Sequence, residues 1–379
     1  VDETTVIPKA RTNRRQILRA AGVGISLPFV VPLMTACSID DGGKKQREEA
    51  THAAQVGSTG GGPIAQTTPV PSASPPGYTG SDSTHHGTGA ASPVPGGEVK
   101  PFQVYDPFLQ PVEAGTKDIE VVAIDESVFI AKDVGYAAWT FDGTVPGPVH
   151  RVVEGDTINI TFKVDPNAIP HSLDFHSAKT PPEVNFRTIA PGEEMSYSFV
   201  PPYPGAYMYH CGTPPILMHI GAGMYGAMIV DPQDGWPEAQ ELVLVQSEFY
   251  LQDSPSGIKV PDMNKMLGHG TMDYMAFNGY ANQYVENPIK VRAGEPVRIF
   301  VINAGPNAWS SFHIVGTVFD AAYVNANPRN KLVGLQTVSI APADGACVEF
   351  VLDEPGIYPF VNHAFGHAAH GAVGLMEAE

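Results

Sequence analysis

The sequence predicts an all-β protein made of two tandem sandwiches, on three observations. From about Asp118 onward, short runs rich in β-branched and aromatic residues recur, among them "TINITFKV", "MSYSFVP" and "YGAMIVDP". Gly and Pro turn signals separate these runs at intervals of roughly ten residues, the texture of a sandwich or barrel. The region also repeats itself: "IAPGEEMSYSFVPPYPGAYMYHC" parallels "IAPADGACVEFVLDEPGIYPFVN", and "FDGTVPGPVHRVVEGDTINITF" parallels "FNGYANQYVENPIKVRAGEPVRIFV". Repetition at this length means two copies of one fold. The boundary falls near Asp234, giving expected domains at 102–234 and 235–379.

The segments before the first copy have other tasks. Arg14 and Arg15 precede an apolar run from Ala20 to Ala36 that two prolines interrupt, which resembles a twin-arginine export signal. "LMTAC" resembles the box cleaved before a bacterial lipoprotein cysteine, so residues 1–37 read as a signal and Cys37 as the lipid-bearing residue. The alternative is an uncleaved membrane anchor. Either reading places the folded part outside the cytoplasmic membrane, in the periplasm or at the cell surface, and a single acyl attachment would tether it there. Residues 38–101 are rich in Gly, Ser, Thr and Pro and lack the apolar surface needed to fold, so they read as a flexible tether. His85 and His86 lie in that tether and are set aside as solvated.

Charge narrows the partners. The chain carries a formal charge of -18, and its first 37 residues are net basic, so the remainder is more acidic still. That excludes nucleic acid and favours a positively charged protein or a small anion drawn in locally. Three cysteines, Cys37, Cys211 and Cys347, cannot form a disulfide framework.

The two copies differ where chemistry would sit. Aligning "PHSLDFH" with "AWSSFHI" places His176 opposite His313 and His171 opposite Ala308, while Cys211 falls opposite Asn362. Only the first copy can carry a thiolate site. There, Cys211, His219 and Met224 come from one hairpin-like loop, and His171 on a neighbouring strand supplies a second imidazole. Two His, one Cys and a weak axial Met are the ligands of a copper electron-transfer centre. Zinc suits the set poorly, because a thioether is a poor ligand for it and no second thiolate or carboxylate is present. Cys347, Met218 and Met228 read as core residues.

His210 raises a second question. Neighbouring side chains on a strand point to opposite faces, so if Cys211 points inward, His210 points outward. His176 lies five positions after His171, an odd offset that also reverses the face. Two outward imidazoles could begin a second metal site one residue away from the first, with a third ligand supplied from elsewhere.

With "HSLDFH", "YHCGTPPILMHIGAGMYG", "SFHIVGTVFD" and "YPFVNH" in view, the segment from about Asp118 to Glu379 resembles the two-domain copper nitrite reductases, in particular their variant with a short Cys-to-His loop. The resemblance implies two cupredoxin-like Greek-key sandwiches and two coppers per chain. His171, Cys211, His219 and Met224 would hold type-1 copper. His176 and His210 would hold type-2 copper, completed by His363 from the neighbouring subunit of a homotrimer. Asp174 and His313 would be the proton-delivering pair, and Val315 the apolar residue over the nitrite. A basic cytochrome c or cupredoxin would fit as electron donor. Proton consumption predicts a rate that falls as pH rises.

Without the resemblance, Asp174 could be a turn residue and His313 a packed core histidine. His367 and His370 read as surface or interface residues, and His150 and His269 receive no role. Two other functions compete. A laccase-type multicopper oxidase needs several His-x-His pairs, and the chain contains none. A type-1 electron carrier without catalysis would have no need of Asp174, His176, His210, His313 and His363.

Overall fold

The structure, a computed structural model, describes residues 98–268 and 270–379. The expected signal with Cys37, nearly all of the tether with His85 and His86, and His269 lie outside the described residues.

Each copy is a pair of sheets with the same internal pairing. In the first, Lys117–Ala131 pairs antiparallel with Val134–Phe141 and parallel with Ile158–Val164, which pairs with Glu194–Phe199. The facing sheet runs His150–Val153, Tyr225–Asp231, Gly205–His210, Asp174–Phe175. In the second copy Gln240–Phe249 again pairs antiparallel with one neighbour, Tyr274–Phe277, and parallel with the next long strand, Pro296–Gly305. Its facing sheet again closes on a parallel pair, Ile289–Val291 with Val373–Ala378.

Sequence periodicity accounts for these strands. Along Ile158–Val164, the residues Ile158, Ile160, Phe162 and Val164 are buried while those between are only partly covered. Alternation of this kind marks a strand with one face on a core and one toward water. Tyr225–Asp231 breaks the rule, because every residue in it is buried. Met228 and Val230 face the core of their own sandwich. Tyr225, Ala227 and Ile229 join Val243, Val245, Phe300, Ile302 and Cys347 in a separate cluster shared by the two copies. The neighbouring Gly205–His210 strand splits the same way: Ala206 and Met208 lie in the shared cluster, while Tyr209 and the following Cys211 lie in the main core. Parity therefore puts His210 on the side covered by the second copy.

That contact between copies is close and charged. A Cβ on Gly345 would come 2.2 Å from the Ala206 carbonyl oxygen, so only glycine admits this approach. Glu241 accepts from Arg151 of the first copy at 2.7 Å and from Arg298 of the second at 2.8 Å. Arg298, 1% exposed, also pairs with Glu349 and lies over the Trp236 ring. The residues leading into the first copy pack against the second: the Val243 amide donates to the Pro107 carbonyl, the Leu109 amide donates to the Glu241 carbonyl, and the Phe102 and Tyr280 rings stack.

Among the described residues the helices are single turns or little more, and none is long and apolar enough to cross a membrane.

Candidate metal centres

The buried centre is built by one loop closing on itself. The Cys211 amide donates to the Met224 carbonyl at 3.2 Å, and the Met224 amide donates to the His219 carbonyl at 3.1 Å. Between them, where the sequence predicts only a hairpin-like loop, Pro214 and Pro215 lead into a short helix, Ile216–Gly221, that carries His219 in its last turn. The helix buries Met218 and His219 together. His171 arrives on an isolated bridge rather than on a regular strand: its amide and carbonyl both bond Ile189.

Three ligand atoms converge here. His171 Nδ1 and His219 Nδ1 lie 3.1 Å apart, and Cys211 Sγ is 3.2 Å from His219 Nδ1 and 3.8 Å from His171 Nδ1. All three residues and Met224 are buried. Burial lowers the His171 pKa to about 3, with His219 adding to the effect, and lowers His219 to about 4. Both rings are therefore neutral near pH 7, as ligands must be. Burial pushes the Cys211 thiol up, while hydrogen bonds from Ser172 and Thr213 pull it the other way. The Ser172 amide donates to Sγ at 3.3 Å, a contact suited to a thiolate. A soft cation is the partner that would hold this sulfur ionised among two neutral imidazoles. The donor set fits copper. The Trp139 ring packs 4.5 Å from the His219 ring and closes one side.

The second centre lies one residue back. Asp174 pairs directly with His210 across the two strands, and the His176 amide donates to the Met208 carbonyl. Asp174, His176 and His210 thus offer ligand atoms within 4.8 Å of one another. His210 Nε2 is 2.9 Å from His176 Nε2, and His210 Nδ1 is 2.9 Å from the Cys211 carbonyl. Because the carbonyl can only accept, His210 donates from Nδ1 and turns its Nε2 toward His176. His176 is exposed as a residue, yet the protein around its ring lowers its pKa, with His210 the second cause and Asp174 opposing. Its ring also bonds the Ala343 backbone of the second copy. Two facing imidazole nitrogens beside a carboxylate fit a metal with open positions. His210 itself is only 9% exposed, because the second copy covers the face that the sequence predicts to point outward.

The remaining expected residues form a separate half. His363 is exposed, its ring 5.2 Å from His313 and 4.8 Å from Phe365. His313 Nδ1 lies 2.5 Å from the Gln336 carbonyl. Val315 is 43% exposed and held by a backbone bond to Pro359. Within one chain neither His313 nor His363 joins the Asp174, His176 and His210 group.

The structure adds detail for the other histidines. His367, expected at the surface or an interface, is partly buried with Nδ1 3.0 Å from Asn362 Nδ2. His370 is likewise partly buried, bonded to the Asp273 carbonyl. His150 packs against Tyr209 and Phe175 with a buried, unpartnered Nε2. Cys347 is fully buried, as expected of a core residue.

Known proteins share this architecture. Two multicopper oxidase family models match residues 125–235 and 256–379. A copper-containing nitrite reductase of Neisseria meningitidis serogroup B is 38% identical over 270 residues, covering 69% of this chain and 68% of the relative. The copper nitrite reductase structure from Nitrosomonas europaea superposes with a TM-score of 0.65 at 36% identity, covering 70% of this chain and 94% of that one. The copper-containing nitrite reductase from Thermus scotoductus gives 0.64 at 32% identity, covering 70% and 62%. With two cupredoxin-like sandwiches and two clusters of copper-type ligands in the first of them, the chain belongs to the copper-containing nitrite reductases of the multicopper oxidase family.

Proposed function

We infer that this protein reduces nitrite to nitric oxide, consuming one electron and two protons and releasing water. The observation that carries the reading is that Cys211 and His210, consecutive in sequence, belong to two different ligand clusters. His171, Cys211, His219 and Met224 would hold type-1 copper, and His176 and His210, with His363 of a neighbouring subunit, type-2 copper. Copper, when bound, supplies a one-electron relay at the buried set and a Lewis-acidic position for the anion at the other.

The chain's own groups do the rest. The Cys211–His210 peptide links the two centres through a few covalent bonds. Asp174, opposite His210, is placed to hydrogen-bond a nitrite oxygen and deliver a proton to it, and His313 supplies the second. Val315 contributes an apolar wall that limits how the anion lies. The residues of 102–234 carry both copper clusters and those of 235–379 supply His313, Val315 and His363.

A homotrimer follows from the split. Asp174, His176 and His210 are one half-site, while His313 and His363 are the other and stay apart from it in a single chain. Exposed Phe365 beside His363 gives that face apolar area to bury. Head-to-tail docking of one half onto the other closes a ring when the rotation permits. The acidic chain fits a basic cytochrome c or cupredoxin as donor, and the Arg14–Arg15 and Leu33–Cys37 motifs support export and a lipid anchor at Cys37.

The test is an EPR spectrum of the copper-loaded oligomer with and without nitrite. Two Cu(II) signals are expected, one of them perturbed by nitrite, at two coppers per chain, and His363→Ala should remove only the perturbed one. Sulfur-bound copper alone, at one per chain, would instead identify an electron carrier.

A further inference from the structure

The loop after Gly356–Asn362 repeats the bonding of the buried copper loop without its ligands. The Asn362 amide donates to the Ala372 carbonyl at 3.0 Å, and the Ala372 amide donates to the His367 carbonyl at 3.1 Å. Those bonds match Cys211 to Met224 and Met224 to His219. Asn362 therefore stands in the thiolate's place and His367 in that of His219. The side chains agree: Asn362 Nδ2 lies 3.0 Å from His367 Nδ1, where Cys211 Sγ lies 3.2 Å from His219 Nδ1.

An amide cluster fills this position. Asn362 is fully buried, and its Nδ2 faces Gln246 Oε1 at 3.1 Å and the Trp309 carbonyl at 3.2 Å. Its Oδ1 accepts from the Ser311 amide and from the Ala364 amide, each at 3.1 Å. The His363 amide, between those points, donates to the Ser311 carbonyl at 2.7 Å. The backbone on both sides of His363 is thus stitched to one strand through a single buried side chain. The His363 ring itself packs edge-on against the His313 and Phe365 rings.

We propose that Asn362 is a positioning residue for His363: the amide that takes the thiolate's place in the second copy fixes the backbone from which His363 reaches the neighbouring subunit's type-2 copper. The inference rests on the reading of His363 as a copper ligand. Each copy then uses an inward residue to anchor the outward histidine beside it, Cys211 for His210 and Asn362 for His363.

The test measures type-2 copper affinity in the assembled oligomer, by chelator competition followed by EPR, with the sulfur–copper absorption as an internal control. Asn362→Leu removes both accepted bonds and should weaken type-2 copper about 10–100-fold, the usual effect of losing a partner that orients a ligand, with the sulfur–copper band unchanged. Gln246→Leu disturbs the same buried cluster without touching Oδ1 and should bind close to the parent. If Asn362→Leu does not assemble, Asn362→Ser, whose hydroxyl is too short to span both amides, takes its place with the same expectation. Parental affinity in the leucine or serine variant overturns the inference, as does an equal loss in Gln246→Leu. His363→Ala separates the two ideas: if it retains type-2 copper, the ligand assignment has failed rather than the positioning role.

Discussion

Cys211 Sγ lies 3.2 Å from His219 Nδ1, while His210 Nε2, from the residue before it, lies 2.9 Å from His176 Nε2 on the other side of the same strand. The His210 Nδ1 contact to the Cys211 carbonyl, at 2.9 Å, adds a second connection between the two residues. Cys211→Ser should therefore separate the two centres' properties. The strong visible band of the sulfur-bound copper disappears, the nitrite-perturbed EPR signal stays, and turnover falls ~10²-fold or more as the barrier to electron delivery rises. Steady-state assay and EPR of the same sample check this. Parental turnover without the sulfur ligand would contradict the relay.

The proposed proton delivery by Asp174 requires that it act beside the metal ligands rather than as one of them. Asp174 pairs with His210 across the strands and remains partly accessible. Asp174→Asn keeps the shape and loses the acid. Turnover should drop by ~10²-fold or more, the range for removing a general acid, with copper content unchanged at both sites. Loss of type-2 copper in this variant would instead make Asp174 a ligand.

Much of this arrangement was legible in the sequence because strands obey a two-residue period. The face change between Cys211 and His210 follows from that period, and the match of Cys211 with Asn362 from the internal repeat; the two ligand groups and the loop hydrogen bonds show the same relations. The Ile216–Gly221 helix was not legible: six residues are too few for a 3.6-residue pattern, and the prolines before it look like an ordinary turn. Nor was the inward role of His367, since "HAFGHAAHG" has no periodicity that separates a histidine bonded to Asn362 from one in water. The covering of His210 depends on docking between copies, through Gly345 against Ala206, which a single-strand argument does not contain.

That docking has an electrostatic hinge point. Glu241 is shared by Arg151 and Arg298, and Arg298 is almost wholly buried with Glu349 as its other carboxylate partner. Removing the shared carboxylate leaves each guanidinium with a single carboxylate partner, Asp231 for Arg151 and Glu349 for Arg298. Glu241→Ala should cost about 1–3 kcal/mol, the range for losing hydrogen bonds to charged groups while the charges keep other partners. Denaturant unfolding measures it. A loss below ~1 kcal/mol would show that the pair behaves like an exposed surface bridge.

His150 makes the protein acid-sensitive for a reason unrelated to metal. Its Nε2 is buried without a partner against Tyr209 and Phe175, and burial lowers its pKa to about 4 from 6.5. At pH 7 both folded and unfolded forms are neutral and the shift costs nothing. As pH falls below 6.5 the unfolded chain takes up a proton that the native state refuses, so stability declines until pH reaches about 4 and then levels. The loss from this one group is about 2 kcal/mol at pH 5. His150→Phe retains the aromatic packing and removes the proton site. In metal-free protein its stability difference between pH 7 and pH 5 should be smaller than the parent's by that amount, while His171 and His219, also lowered by burial, act equally in both proteins and cancel. Paired urea titrations at the two pH values decide the matter, and an unchanged difference would mean that His150 protonates as readily in the folded chain as in the unfolded one.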